Sequence, residues 1–186
     1  QRQMCIRDSL NEVVGEISGK VYIISHSLGT AIVEKYITKF SPKLEAVVFL
    51  TPSPVIKRLQ KAFLVNFHNI MRSKSCFYFS NRLDESVESV YLDKFTDESR
   101  KIELLMIRKK VPVGYEWNYK TLVMGSLNDN CMPISVLLDT AKIFKAKLII
   151  YQEHCHNMML DPAWEIVAED ILGFILVSVS YTHLTL

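Results

Sequence analysis

Four short apolar runs constrain this chain more than any other feature: Val21–Ile24, Ala46–Leu50, Thr121–Met124 and Lys147–Tyr151. Each is rich in branched aliphatic residues with little apolar/polar alternation, the pattern of a strand buried on both faces. Helical periodicity separates them. From Leu28 to Phe40, apolar residues fall at Ala31, Ile32, Val33, Tyr36, Ile37 and Phe40, close to the 3.6-residue repeat, and Ser135–Phe144 bridges the last two runs. Asp161-Pro162 reads as the N-cap and first turn of a final helix with Val167, Ile171 and Phe174 on one face. A further helical pattern, Leu10–Ile17, precedes the first run. This alternation predicts an α/β fold: a mainly parallel sheet with its strands in sequential order, joined by right-handed crossovers and covered by helices.

One interval breaks the rhythm. Roughly seventy residues, Thr51 to Lys120, separate the second and third runs, far more than one crossover helix needs. Thr51-Pro52-Ser53-Pro54 leaves the sheet sharply, and helical patterns follow at Val55–Met71, Ser86–Lys94 and Glu98–Lys109. The expected organisation is a core of residues 10–50 and 120–177 carrying a helical cap, residues 51–119, over the sheet's C-terminal edge. Two ordinary crossover helices are the plainer alternative. The end sequences, Gln1–Ser9 and Ser178–Leu186, resemble translated sequencing-adapter read-through, and both are expected to be non-native tails with few core contacts.

Composition narrows the partners. The 186 residues are 49% hydrophobic, enough for one domain with a sizeable core, and carry a net charge of +2 with no basic stripe or acidic block. No nucleic-acid partner is expected. No apolar run reaches the ~20 residues needed to span a bilayer, so no stable membrane insertion is expected. Cys5, Cys76, Cys131 and Cys155 show neither a C-x-x-C pairing nor zinc-like spacing with histidine. Free thiols in a reducing compartment, the cytoplasm, and no metal site are the expectation.

The chemistry concentrates at Val21-Tyr22-Ile23-Ile24-Ser25-His26-Ser27-Leu28-Gly29-Thr30. An apolar strand runs into small-His-Ser-Leu-Gly and then directly into an amphipathic helix, the setting of a nucleophile elbow. Such a turn is strained so that the Ser27 hydroxyl projects above the sheet, and small residues on either side let strand and helix approach. It also puts Ser27 at a helix N-terminus, where the macrodipole and the Leu28 backbone N–H favour a developing oxyanion. Ser25 stands where a glycine is usual, a small enough change to be tolerated.

A serine hydroxyl needs an adjacent base that is itself held by a carboxylate. After the third strand, the turn-rich stretch Gly125-Ser126-Leu127-Asn128-Asp129-Asn130-Cys131-Met132-Pro133 carries one acid, Asp129. After the fourth comes Gln152-Glu153-His154-Cys155-His156-Asn157-Met158-Met159, with two histidines two residues apart. In an extended loop they would point the same way, so spacing alone does not choose between them.

These loops, with the elbow and the Asp161-Pro162-x-Trp164-Glu165 stretch that follows, resemble bacterial α/β-hydrolases of the lysophospholipase-like group over about Val21–Ile175. The resemblance implies Ser27 as nucleophile, Asp129 as orienting acid and His156 as general base. It implies ester or thioester hydrolysis of a small-molecule acyl substrate, with no cofactor. Cys155 departs from the glycine that normally precedes the catalytic histidine. The resemblance also implies N-terminal strands ahead of the elbow, and with them a loop giving a second oxyanion-hole amide. No H-G-G stretch occurs here, and the expectation is a C-terminal fragment with an impaired site and an exposed apolar edge strand.

Alternatives stay open at each position. Asp129 could cap the helix near Ser135, and Glu153 could stand in for it. His156 could be an ordinary surface histidine. His26 is expected to pack in the elbow, and His68 to be incidental. Leu64, Phe67, Ile70, Phe77 and Phe79 could line an acyl pocket or simply pack the cap. As for function, C–C bond hydrolysis and cofactor-free haloperoxidase chemistry compete on the same fold. A non-catalytic binding module of that fold competes from outside enzymology.

Overall fold

A computed structural model describes residues 2–54, 78–96 and 116–180. Helix α1 (Arg2–Glu16) leads to strand β1 (Tyr22–His26), helix α2 (Gly29–Phe40) and strand β2 (Ala46–Leu50). Helix α3 (Glu85–Leu92) lies in the long interval. Strand β3 (Thr121–Ser126), helix α4 (Ile134–Phe144), strand β4 (Lys147–Tyr151), a 3-10 turn (Met158–Leu160) and helix α5 (Trp164–Ser180) complete the order. The sheet has the order β1-β2-β3-β4 with every neighbouring pair parallel, as the sequence predicts.

Parallel register makes one edge of the sheet hold all four strand C-termini: His26 is level with Leu50, and Ser126 with Tyr151. Strand residues alternate between two apolar layers. Ile23, Val47, Phe49 and Val123 face Val33, Tyr36 and Ile37 of α2 and Leu137, Ala141 and Phe144 of α4. Val48, Leu50, Leu122 and Met124 face Val167 and Ile171 of α5, together with Met158. Both layers are apolar, and β2 and β3 are buried along their whole length.

Several boundaries differ from expectation. The first strand runs two residues further, to His26, and the third extends to Ser126, because their C-terminal backbone stays hydrogen-bonded to β2 and β4. Gly125 therefore sits within β3 and not in the following loop; a Cβ there would overlap the Leu137 side chain, so glycine is what lets α4 pack down on the strand. Helix α1 begins at Arg2, not Leu10, and passes without a break through Ser9; Asp8 pairs with Lys39 of α2 at 2.8 Å on the surface. Helix α5 starts at Trp164 and runs to Ser180, past the expected boundary at residue 178.

In the long interval, the pattern at Ser86–Lys94 corresponds to α3, whose N-cap Asp84 accepts a 2.8 Å hydrogen bond from the Ser86 amide. The patterns at Val55–Met71 and Glu98–Lys109 lie outside the described residues. Phe79, considered for a pocket, is buried against Tyr91 and Phe95 at ring distances of 5.9 and 5.8 Å.

The first layer centres on Phe49, fully buried, with Phe144 at 5.3 Å and Trp117 at 6.1 Å. Phe49→Ala should cost about 3–5 kcal/mol of unfolding free energy. Leu138→Ala, on the half-exposed face of α4, should cost much less, near the ~0.5 kcal/mol of ordinary surface changes. Chemical denaturation of the two variants against the parent chain checks the contrast.

Candidate active site

The turn between β1 and α2 carries Ser27 at φ 48°, in the left-handed region that serine seldom adopts. The backbone around it is tied down on both sides. The Ser27 amide donates to the Leu50 carbonyl at 3.0 Å, and the Ser27 carbonyl accepts from the Thr30 and Ser53 amides, each at 3.1 Å. Close packing of strand on helix shows directly at Gly29, where a Cβ would come within 3.3 Å of the Ser25 Cβ. A side chain two residues after Ser27 would press on Ser25, whose side chain already occupies the space opposite. Leu28 caps α2 in helical conformation, leaving Ser27 at the helix N-terminus.

Asp129 sits in the turn after β3. Its Oδ1 accepts hydrogen bonds from the Cys131 amide at 2.7 Å and the Met132 amide at 2.9 Å. Its Oδ2 accepts from His156 Nδ1 at 3.0 Å, with both side chains buried. The capping alternative is thus half right: Asp129 caps its own turn, while Pro133 holds the N-cap position of α4. Glu153 points away, its carboxylate 72% exposed and paired with Arg82 at 3.0 Å.

The two histidines after β4 separate cleanly. His156 is buried and meets Asp129. His154 Nε2 lies 3.2 Å from the Ala163 carbonyl, and its ring is 4.5 Å from that of Tyr151. The expected second contact of His156, Nε2 with Ser27 Oγ, is not among the hydrogen bonds formed between described residues. The His156 ring instead lies 4.8 Å from that of His26, the neighbour of Ser27. Such bonds are often long in substrate-free sites and tighten when substrate binds.

The His156 backbone is held as firmly as its ring. Its carbonyl accepts from His26 Nε2–H at 3.0 Å and from the Thr51 hydroxyl at 3.2 Å, and the next amide, Asn157 N–H, donates to the Tyr78 carbonyl at 3.0 Å. Thr51 and Tyr78 were missed from the sequence. Thr51 could have been suspected from its place directly after β2, at the edge where the other loops converge; Tyr78 gives no such signal. His26 packs in the elbow as expected, yet it also holds the His156 carbonyl. Arg82 adds a further tie, donating to Asp161 Oδ1 at 2.6 Å and so linking the long interval to the start of α5. His68 lies outside the described residues.

Two groups near the site are held neutral. Burial, then the neighbouring His156, lowers the His26 pKa to about 4, against weaker support from its hydrogen bond and from Asp129. Burial, then the charge of Asp161, pushes the Cys155 thiol up to about 11, which keeps it protonated and unreactive as a nucleophile. Asp129, Cys131 and His156 also place ligand atoms within 4.8 Å of one another. A divalent ion there would have to replace the Asp129–His156 hydrogen bond.

The chain matches the family model described as serine hydrolase over residues 6–165, and it belongs to that family. Solved structures agree on the fold. An esterase from Exiguobacterium antarcticum superposes with a TM-score of 0.74 at 15% identity, covering 93% of this chain and 73% of the esterase. A bromoperoxidase from Bacillus anthracis gives 0.67 at 16% identity, covering 91% and 72%. A monoacylglycerol lipase from Paleococcus ferrophilus gives 0.64 at 16%, covering 95% and 76%. No curated protein matches the chain by sequence. The chain thus has the α/β-hydrolase fold and, by family, is a hydrolytic enzyme. Among the described residues, no helix is long and apolar enough to cross a membrane.

His26 makes acid stability a readable property. Its pKa is about 4 in the folded chain and about 6.5 in the unfolded one. Between those values the unfolded state binds more protons, so the His26 contribution to stability is complete above pH 6.5 and is lost as pH falls toward 4. Unfolding free energies measured across this window should fall more steeply for the parent chain than for His26→Gln.

Proposed function

We propose that the chain cleaves a carboxylic ester or thioester through an acyl-enzyme on Ser27, with Asp129 as orienting acid and His156 as general base. The observation that carries this reading is the buried His156 Nδ1–Asp129 Oδ2 hydrogen bond at the edge of the sheet where the Ser27 elbow stands. With Nδ1–H donating to the carboxylate, Nε2 is left with a lone pair and can accept a proton.

In acylation, Ser27 Oγ attacks the acyl carbon while His156 Nε2 takes its proton. The resulting oxyanion is met by the Leu28 backbone N–H and the N-terminus of α2. Collapse expels the alcohol or thiol, which leaves with the proton from Nε2. Water then attacks the acyl-enzyme with His156 again as base, releasing the carboxylic acid and restoring Ser27. Asp129, fixed by the Cys131 and Met132 amides, orients the imidazole and stabilises the imidazolium that forms. None of these steps calls on a cofactor. Residues 51–119 act as the cap that shapes the acyl site, and Cys131 and Cys155, both buried and neither in a disulfide among the described residues, suit a reducing cytoplasmic setting.

The bromoperoxidase among the structural neighbours keeps haloperoxidase chemistry on the same residues as a second reading. Fluorophosphonate labelling and hydrolysis of p-nitrophenyl acyl esters and a thioester analogue test the first. Ser27→Ala should abolish both labelling and turnover. His156→Ala should lower kcat by several orders of magnitude, Asp129→Asn by about 10³–10⁴-fold, and His154→Ala by less than about threefold. A chain that binds acyl esters yet neither labels nor turns over would be a binding module instead.

A further inference from the structure

We propose that His26 is a positioning residue for His156: with Thr51, it grips the His156 carbonyl and so keeps the imidazole aligned between Asp129 and Ser27. This rests on the roles proposed above for Ser27, Asp129 and His156.

His156 sits in an irregular stretch between β4 and the 3-10 turn at Met158–Leu160, so no secondary-structure ladder fixes its backbone. Among the described residues, its ring is hydrogen-bonded at one atom, Nδ1, to Asp129. The ring is buried, 4.8 Å from the His26 ring and 6.0 Å from the Tyr78 ring, so its aim follows where the His156 backbone stands. The carbonyl grip fixes that backbone. His26 Nε2–H and the Thr51 hydroxyl both reach the same oxygen, at 3.0 and 3.2 Å, using its two lone pairs.

The two donors come from the sheet itself. His26 is the last residue of β1 and the residue before Ser27, and Thr51 directly follows β2. Thr51 is buried, in left-handed conformation at φ 41°, with its amide bonded to the Met124 carbonyl at 2.8 Å. His26 therefore ties the nucleophile's backbone to the base's backbone across 130 residues of sequence. Any shift of the elbow carries the His156 loop with it. With Nε2–H committed to a carbonyl, His26 is a hydrogen-bond donor here and not a second base. The groups facing it are His156 and Asp129, and its low pKa keeps the ring neutral, so it adds no positive charge beside the imidazole that must become cationic.

The test uses the full chain with His26→Leu, His26→Gln and Thr51→Val. The Gln side-chain amide can place an N–H where Nε2–H stands, whereas Leu fills the space without a donor. His26→Leu should lower kcat about 10–100-fold with KM within roughly twofold, the signature of misplacement and not of lost binding. His26→Gln should recover most of the loss, and Thr51→Val should show a smaller drop of the same kind. The downfield proton resonance of His156 Nδ1–H, read by NMR without any turnover, should broaden or vanish in His26→Leu and persist in His26→Gln.

Equal kcat and an unchanged resonance in His26→Leu would overturn the proposal, as would a His26→Gln chain as impaired as His26→Leu. If His26→Leu fails to fold, Thr51→Val decides, and parent-like kcat with an unchanged resonance overturns the grip. The Ser27→Ala control separates the two layers: if it keeps full turnover, the proposed function fails, while the resonance still reports on the His26 grip.

Discussion

Parallel pairing in register is the constraint on which the rest depends. Because β1 to β4 all run the same way, their C-terminal ends share one edge, and the loops that leave them converge whatever their distance in sequence. Ser27 follows β1, Thr51 follows β2, Asp129 follows β3 and His156 follows β4. Two apolar layers hold that edge in place. Burial of Phe49, Leu122, Met124 and their partners keeps the strands from slipping by a residue, which would turn every side chain to the opposite face.

Polar groups above this scaffold are placed so that the Asp129 carboxylate and the His156 carbonyl are both met by donors. Asp129 uses Oδ1 for its own turn and Oδ2 for His156, so one carboxylate shapes the loop and receives the imidazole. A buried carboxylate is costly unless its lone pairs are met, and three donors meet them here. His26 follows the same economy in neutral form, donating to a carbonyl and remaining uncharged. The left-handed backbone at Ser27 and Thr51 is held against its strain by amide bonds to Leu50 and Met124.

Much of this was legible in the chain. Two-sided burial showed in the unbroken apolar runs, and the helices in the 3.6-residue repeat, because each pattern is a local consequence of which faces are covered. The turn at Ser27 was legible because only small neighbours fit, as Ser25 and Gly29 confirm in their close approach. Boundaries were less so. Gly125 looked like the start of a loop, yet it lies inside β3 because Leu137 of α4 presses on it, a contact no local pattern announces. Helix α1 likewise continues through residues whose resemblance to adapter read-through suggested a foreign tail.

By itself the sequence determined the strand order, the elbow and the loops that could supply an acid and a base. Each follows from short-range periodicity together with the geometry of parallel crossovers. Only the tertiary structure decided where the two imidazoles go, for two residues on one loop find different partners by where the backbone turns. That turn sends His156 to Asp129 and His154 to the Ala163 carbonyl. The His26–His156 contact was decided the same way. A side chain's partner across 130 residues depends on how the whole sheet is assembled, and no run of neighbouring residues encodes it.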